Sequence, residues 1–209
     1  MFQLGILDLL VIPSQRIVDL SIGISVLGWA TAGTSSNLGQ RPVAVLLATS
    51  LLHFIVGVLF LVRSQAEIQG DLRTCLIAIP AVLVGGWVFR FAPNHWNVPS
   101  QILFVIGGGL AILSFVFLGR CFAILPAIRG TVTRGPFSFI RHPAYLGELA
   151  MVAACVLAVP PNWGQPIVLA LSSILFVARI RVEESLLLTD DAYQSYCRKV
   201  RWRLVPLVW

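Results

Sequence analysis

Charge is what this sequence has least of. Only 11% of its 209 residues are Asp, Glu, Lys or Arg, whereas 57% are hydrophobic and the mean hydropathy is +0.88. Soluble domains carry roughly a quarter of their residues as charges, so a water-soluble globular chain is excluded. Cysteine is sparse and unpaired in pattern: Cys75, Cys121, Cys155 and Cys197 form no C-x-x-C, and three of them lie in or beside apolar segments, which predicts buried free thiols. The three histidines, His53, His95 and His142, are scattered without an H-E-x-x-H or a carboxylate cluster, so no metal site is expected. There is no internal repeat and no low-complexity tract. Residues Met1 to Pro13 lack a basic n-region and an A-x-A-like site, which predicts no cleaved signal peptide.

What is present is a series of long apolar runs. They cover about Ile17 to Ala32, Val43 to Val62, Leu72 to Phe89 and Ile102 to Gly119, followed by two shorter ones, Leu146 to Val159 and Ile167 to Ala178. The last two flank Pro160-Pro161-Asn162-Trp163-Gly164, a turn by composition, and so predict a tight helical hairpin. Each arm is short of a full straight span, so it either draws in flanking residues or sits inside the bundle beside a cavity. In lipid every backbone polar group must be satisfied internally. The expected fold is therefore an all-α integral membrane bundle of five to six transmembrane helices, a single domain over residues 1–209.

Loop charges orient it. With the N-terminus cytoplasmic, one side collects thirteen Arg and Lys residues, including Arg134, Arg141, Arg179 and the cluster Arg198, Lys199, Arg201 and Arg203; the other side has only Arg41 and Arg90. Topology and attraction to anionic headgroups account for the formal charge of +6, and no nucleic-acid partner is expected. Membrane lipids are the expected surroundings. Asp19 in the first span reads as a helix-end or interior-paired residue. Gly107-Gly108-Gly109 and Gly85-Gly86 read as close-packing sites or as a flat wall for a lipid tail. Trp202 and Trp209 read as an interfacial anchor, and Asn94 to Asn97 as an interface loop.

Two polar constellations interrupt this apolar frame. Arg134-Gly-Pro-Phe-Ser-Phe-Ile-Arg-His-Pro-Ala-Tyr-Leu-Gly147 places two arginines, a histidine and a tyrosine in a Gly/Pro-punctuated connection free of Asp and Glu, suited to holding an anion. After the hairpin, Arg179-Ile-Arg-Val-Glu183-Glu184 puts Arg179 and Glu183 on one helical face, an expected ion pair, with Glu184 turned toward another. The hairpin returns the second constellation to the first, so both can form one pocket on the cytoplasmic side.

The G-P-F-x-x-x-R-H-P-x-Y-x-G pattern from Gly135, with the downstream R-x-x-x-E-E from Arg179 and Tyr193-x-x-Tyr196, resembles the isoprenylcysteine carboxyl methyltransferase family over about the last 90 residues. Residues 1–119 would then be variable helices and 120–209 the cofactor-binding and catalytic part. The resemblance implies a membrane methyltransferase that takes S-adenosylmethionine from the cytosol and a lipophilic acceptor from the bilayer, in a bacterial inner membrane. It carries Arg141, His142, Pro143, Tyr145 and Gly147 onto the cofactor motif, with neighbouring Leu146, Gly135 and Pro136 in the turn before it, and Glu183 and Glu184 onto the acidic pair. Phe137, Phe139 and Leu146 can supply an adenine slot. Arg179, held by Glu183, can orient a substrate carboxylate; with an amine acceptor, Glu183 or Glu184 can take a proton. The expected product is a methyl ester of a prenylcysteine-like or isoprenoid acid. Phospholipid amines and small thiols stay open as acceptors, and so do an NADPH-dependent membrane enone or sterol reductase, suggested by Leu146-Gly-Glu148, and a non-catalytic membrane protein. Two departures from the pattern stand out, Phe137 in place of the commoner Tyr and the extra carboxylate of Glu148.

Overall fold

The computed structural model describes residues 6–209, without the side chains of residues 6–15 and Ser36. The expectation for Met1 to Pro13 therefore lies outside the described residues for positions 1–5 and for the side chains that follow. Seven helices run in chain order: α1 (Ile6–Asn37), α2 (Val43–Val62), α3 (Leu72–Phe91), α4 (Val98–Leu118), α5 (Pro143–Ala158), α6 (Gly164–Leu187) and the short α7 (Asp191–Lys199). Five of them, α1 to α4 and α6, are long and apolar enough to cross a membrane, and the protein is an all-α integral membrane protein.

Both alternatives for the hairpin are realised, one in each arm. α6 draws in flanking residues to reach 24, so that Arg179, Glu183 and Glu184 lie inside the helix and not beyond its end. α5 stays at 16 residues, about 24 Å, and packs against α3, α4 and α6. The fourth span starts earlier than its apolar run. Asn97 caps it, its side chain accepting from the Ser100 N–H at 2.8 Å, and Pro99 fits the first turn, where a missing N–H costs nothing.

α4 and α5 share the most extensive contact in the bundle, and a glycine pair makes it possible. A Cβ on Gly147 would lie 2.5 Å from the Gly107 carbonyl oxygen, and one on Gly107 would lie 2.7 Å from the Gly147 carbonyl. Only hydrogen fits on either side. Gly85 and Gly86 have nothing within 4 Å of a hypothetical Cβ and line open space, so of the two readings offered for the glycine clusters the second applies there. Asp19 is interior and paired: Arg63 donates to both its carboxylate oxygens while lying over the Phe60 ring at 4.3 Å.

The connections at the arginine-rich end fold onto one another. The α2–α3 loop pairs with the 119–130 segment through two short antiparallel strands, β1 (Ile68–Gln69) and β2 (Ala127–Ile128). Arg129 donates to the Ser64 carbonyl, and Phe122 is clasped edge-on by Phe60 and Phe115 at ring separations of 5.6 and 5.3 Å. At the opposite end Asn94 to Asn97 is more than a surface loop. Trp96 is buried, donates to the Pro93 carbonyl at 2.7 Å and stands edge-on to Phe104, and Asn97 also donates to the Leu157 carbonyl of α5.

Candidate active site

The site begins with a turn that only glycine allows. Gly135 has φ +63, and a Cβ there would come within 2.5 Å of the Phe117 ring, so the chain bends sharply into the 3-10 turn Gly135–Ser138. It then reaches Arg141 and His142, which lead into α5 with Pro143 at its first position. The C-terminal tail holds this corner in place. The Arg141 and His142 N–H groups donate to the Trp202 and Arg203 carbonyls at 2.9 Å each, and the tail closes on itself through Arg203 and Leu204 donating to the Trp209 carbonyl. Trp209 is thus part of the support for the site, with Arg203 over its ring at 5.4 Å, where the sequence suggested an interfacial anchor.

Glu184 is the centre of this support. It accepts from Arg141 at 3.1 Å and Arg203 at 2.6 Å, contacts His142 Nε2 at 3.3 Å, and lies 3.5 Å from the Tyr193 hydroxyl, all with only 4% of its side chain exposed. Arg141 spends its other donors on the Val200 and Cys197 carbonyls at 2.8 and 3.1 Å. A carboxylate meeting this many donors has no free lone pair aimed elsewhere.

A cavity of about 1110 Å³ opens beside this corner. It passes from Arg141, His142 and Tyr145, along α2, α4 and α5, to the opposite end of the bundle. α2 and α3 barely touch each other, and both line the cavity. At its arginine-rich end the walls are Phe137, Tyr193, Tyr196, Val132 and Leu187, with the backbone of Gly130 at φ +107. Tyr196 donates to the Phe137 carbonyl at 2.7 Å, which fixes both rings. Burial pushes the Tyr193 and Tyr196 phenols up, so both stay protonated donors at neutral pH.

Deeper in, four residues converge. Tyr145, stacked parallel to His142 at 5.5 Å, donates its hydroxyl to Glu183. Arg179 lies over the other side of the Tyr145 ring at 4.4 Å, donates to the Ile124 carbonyl at 2.7 Å, and faces Glu148 at 3.8 Å; its buried Nε has no partner. The ion pair expected between Arg179 and Glu183 is not formed. Their spacing puts them on one face, but Glu148 from α5 reaches the guanidinium and Glu183 takes the tyrosine hydroxyl instead. A long-range partner outcompetes the local pair, in the Arg-before-Glu order that is the weaker one on a helix.

Of the residues carried over by resemblance, Arg141, His142, Tyr145, Arg179 and Glu183 line the cavity. Pro143, Leu146, Gly147, Gly135, Pro136 and Glu184 do not: they make the turn, the α4–α5 contact and the tail clamp that hold the lining in position. Of the proposed aromatic slot, Phe137 faces the cavity, whereas Phe139 is 75% exposed on the outside and Leu146 packs with the Tyr145 and Phe176 cluster. The sequence reading noted Glu148 as an extra carboxylate beside the motif and Tyr193 and Tyr196 as part of the pattern, but placed none of them among the site residues. Their signal was available, since Glu148 follows Tyr145 by one helical turn and the two tyrosines lie three apart on a short helix after the acidic pair.

A helical membrane bundle with a deep, largely apolar cavity, a buried acid–tyrosine–arginine cluster and no cluster of three metal-ligating side chains among the described residues defines the class: an integral membrane protein with polar chemistry at the foot of an apolar cavity. Residues 97–194 match the model of the phospholipid methyltransferase family, so the chain is similar to that family over this stretch. The matched region begins at the cap of α4 and ends within α7, so it contains every residue of the cluster just described. No curated protein matches the chain.

Proposed function

We propose that the protein transfers a methyl group from S-adenosylmethionine to an amine-bearing membrane lipid, with the cofactor taken from the cytoplasm at the arginine-rich end and the lipid reaching the cavity through the gap between α2 and α3. The residues present fit the cofactor. Phe137, Tyr193 and Tyr196 supply flat apolar surface for a base, and the one arginine beside them, Arg141, is fully engaged by Glu184 and two carbonyls, which leaves no free fixed cation facing a sulfonium. When bound, S-adenosylmethionine supplies an electrophilic methyl group on sulfur.

The observation that carries the choice of acceptor is the pairing of Arg179 with Glu148. With that guanidinium neutralised, Glu183 is the carboxylate in excess, and the deep part of the cavity is net negative. A lipid ammonium is drawn there, whereas a second carboxylate is repelled. Glu183, oriented by the Tyr145 hydroxyl, takes one proton from the ammonium, and the freed nitrogen lone pair forms the new N–C bond as the C–S bonding pair returns to sulfur. The apolar walls keep water from competing, and alignment of the nucleophile with the methyl group can supply roughly 7 to 11 kcal/mol of the barrier.

A carboxylate acceptor, the first expectation from the sequence, keeps one observation in its favour, the unpartnered Nε of Arg179. Radiolabelled methyl transfer by detergent-purified protein decides between them. Phosphatidylethanolamine should be labelled and a farnesylcysteine analogue should not, and Glu183→Gln should abolish labelling while S-adenosylhomocysteine still binds by calorimetry. Labelling of the farnesylcysteine carboxylate alone would overturn the amine assignment, and binding of NADPH in place of S-adenosylhomocysteine would overturn the methyltransferase itself.

A further inference from the structure

The end of the cavity remote from Tyr145 carries a cation that no described residue neutralises. Arg41, in the α1–α2 connection, is 9% exposed and lies over the Phe89 ring at 4.3 Å. Its Nε and Nη1 are buried and have no hydrogen-bond partner among the described residues, and it lines the cavity. Arg90, which also lines the cavity, lies near enough to act on its charge. These are the two arginines that the topology leaves on the side with few positive charges. The segments that build this end, residues 33–46, 87–100 and 156–166, contain no Asp or Glu. A buried guanidinium with two orphaned donors is costly unless an anion meets it, and none of the described residues supplies one.

The surroundings specify what kind of anion. Cys155, the nearest α5 residue to act on Arg41, follows Tyr145 by nearly three turns, so about 15 Å separates this end from the deep cluster. The walls between are apolar, including Leu46, Leu52, Phe104, Met151 and Val152. We propose that Arg41 and Arg90 bind the phosphate of a membrane lipid from the leaflet at this end, with its acyl chains in the upper cavity and the α2–α3 gap. The unpartnered Nε and Nη1 of Arg41 lie on different edges of its planar guanidinium, each able to donate to an anionic oxygen, while Phe89 holds the guanidinium flat. The site is separate from the methyl-transfer cluster and does not depend on its assignment.

The test is native mass spectrometry of the detergent-purified full chain titrated with short-chain phosphatidylglycerol, the matching diacylglycerol, or inorganic phosphate. Phosphatidylglycerol should bind with 1:1 stoichiometry, and neither diacylglycerol nor inorganic phosphate should displace it at the same concentration. Arg41→Gln should weaken binding at least tenfold and Arg90→Gln several-fold, with S-adenosylhomocysteine affinity unchanged in both. If Arg41→Gln does not fold, Arg41→Lys, which keeps the charge but loses the planar set of donors, should still weaken binding by severalfold. Equal binding by the Arg41 variant that folds, or equal binding of diacylglycerol, would overturn the proposal; competition by inorganic phosphate at matched concentration would reduce it to a free-anion site.

Discussion

Two adjacent glutamates on α6 should separate stability from activity. Glu184 is buried against Arg141, His142 and Arg203, whereas Glu183 faces the cavity and takes one hydroxyl. In Glu184→Gln the side chain keeps its shape, but Arg141 is left in a pocket where it is 11% exposed without a counter-charge. Removing one partner of such a pair costs about 3 to 5 kcal/mol. The Arg203 arm is about a third exposed and adds at most about 1 kcal/mol after solvent screening. A total of about 3 to 6 kcal/mol lowers the midpoint of thermal unfolding by roughly 6 to 24 °C for a chain of this size. Because Arg141 and Arg203 connect the motif to the tail, the loss should be local as well as global. Amide exchange at Arg141 and His142, whose N–H groups bond across this junction, and at Arg203 and Leu204, whose N–H groups close the tail on itself, should accelerate in Glu184→Gln and stay at the wild-type rate in Glu183→Gln. Equal midpoints for the two variants, or unchanged exchange at those four amides in Glu184→Gln, would refute the clamp.

Other substitutions follow from the same geometry. Gly147→Ala should prevent stable packing of α4 on α5 and yield little monodisperse protein by size-exclusion chromatography, whereas Gly85→Ala, facing open space, should match wild type. Asp19→Ala should lower stability by about 3 kcal/mol by stranding Arg63, and Asp19→Ala with Arg63→Met should recover part of it in thermal unfolding. Phe137→Ala should weaken S-adenosylhomocysteine binding measured by calorimetry by about tenfold or more, through loss of a buried ring that Tyr196 fixes, whereas Phe139→Ala should leave it unchanged. Glu148→Gln should free Arg179 and move acceptor preference from amines toward carboxylates in the labelling assay.

The spans were legible because lipid imposes one rule on every helix: about 20 apolar residues with the backbone satisfied internally. The turn at Pro160 to Gly164 and the crowding of polar residues between Arg134 and Gly147 were legible for related reasons, since proline, glycine and clustered charge are conspicuous against such a background. Pair assignments were not. Arg179 and Glu183 stand four apart, and local spacing alone joins them; only the placement of α5 against α6 reveals Glu148 as the partner. The supporting role of the tail was hidden for the same reason. Trp202 and Trp209 look like interface anchors in sequence, but the bonds from Arg141 and His142 to the tail are backbone bonds, which leave no trace in side-chain identity. Phe139 illustrates the converse case: it belongs to the motif by position and points away from the cavity because the turn begun at Gly135 ends just before it.

The division of labour between side chains explains why so few polar residues suffice in so apolar a chain. Glycine contacts and the Glu184 clamp make the corner at Arg141 rigid, and they do so with groups that never meet the cavity. The cluster inside is then free to keep an imbalance, two carboxylates to one guanidinium, that would be unstable if it also had to hold the fold together. At the far end the imbalance is reversed, with Arg41 and Arg90 and no carboxylate. The two ends therefore favour different groups, an ammonium near Glu183 and a phosphate near Arg41, separated by about 15 Å of apolar wall where charges interact more strongly than in water. That polarity favours an amine at the deep cluster, and it makes the charge at position 41 a determinant of which lipid occupies the far end, although Arg41 touches none of the groups proposed to react.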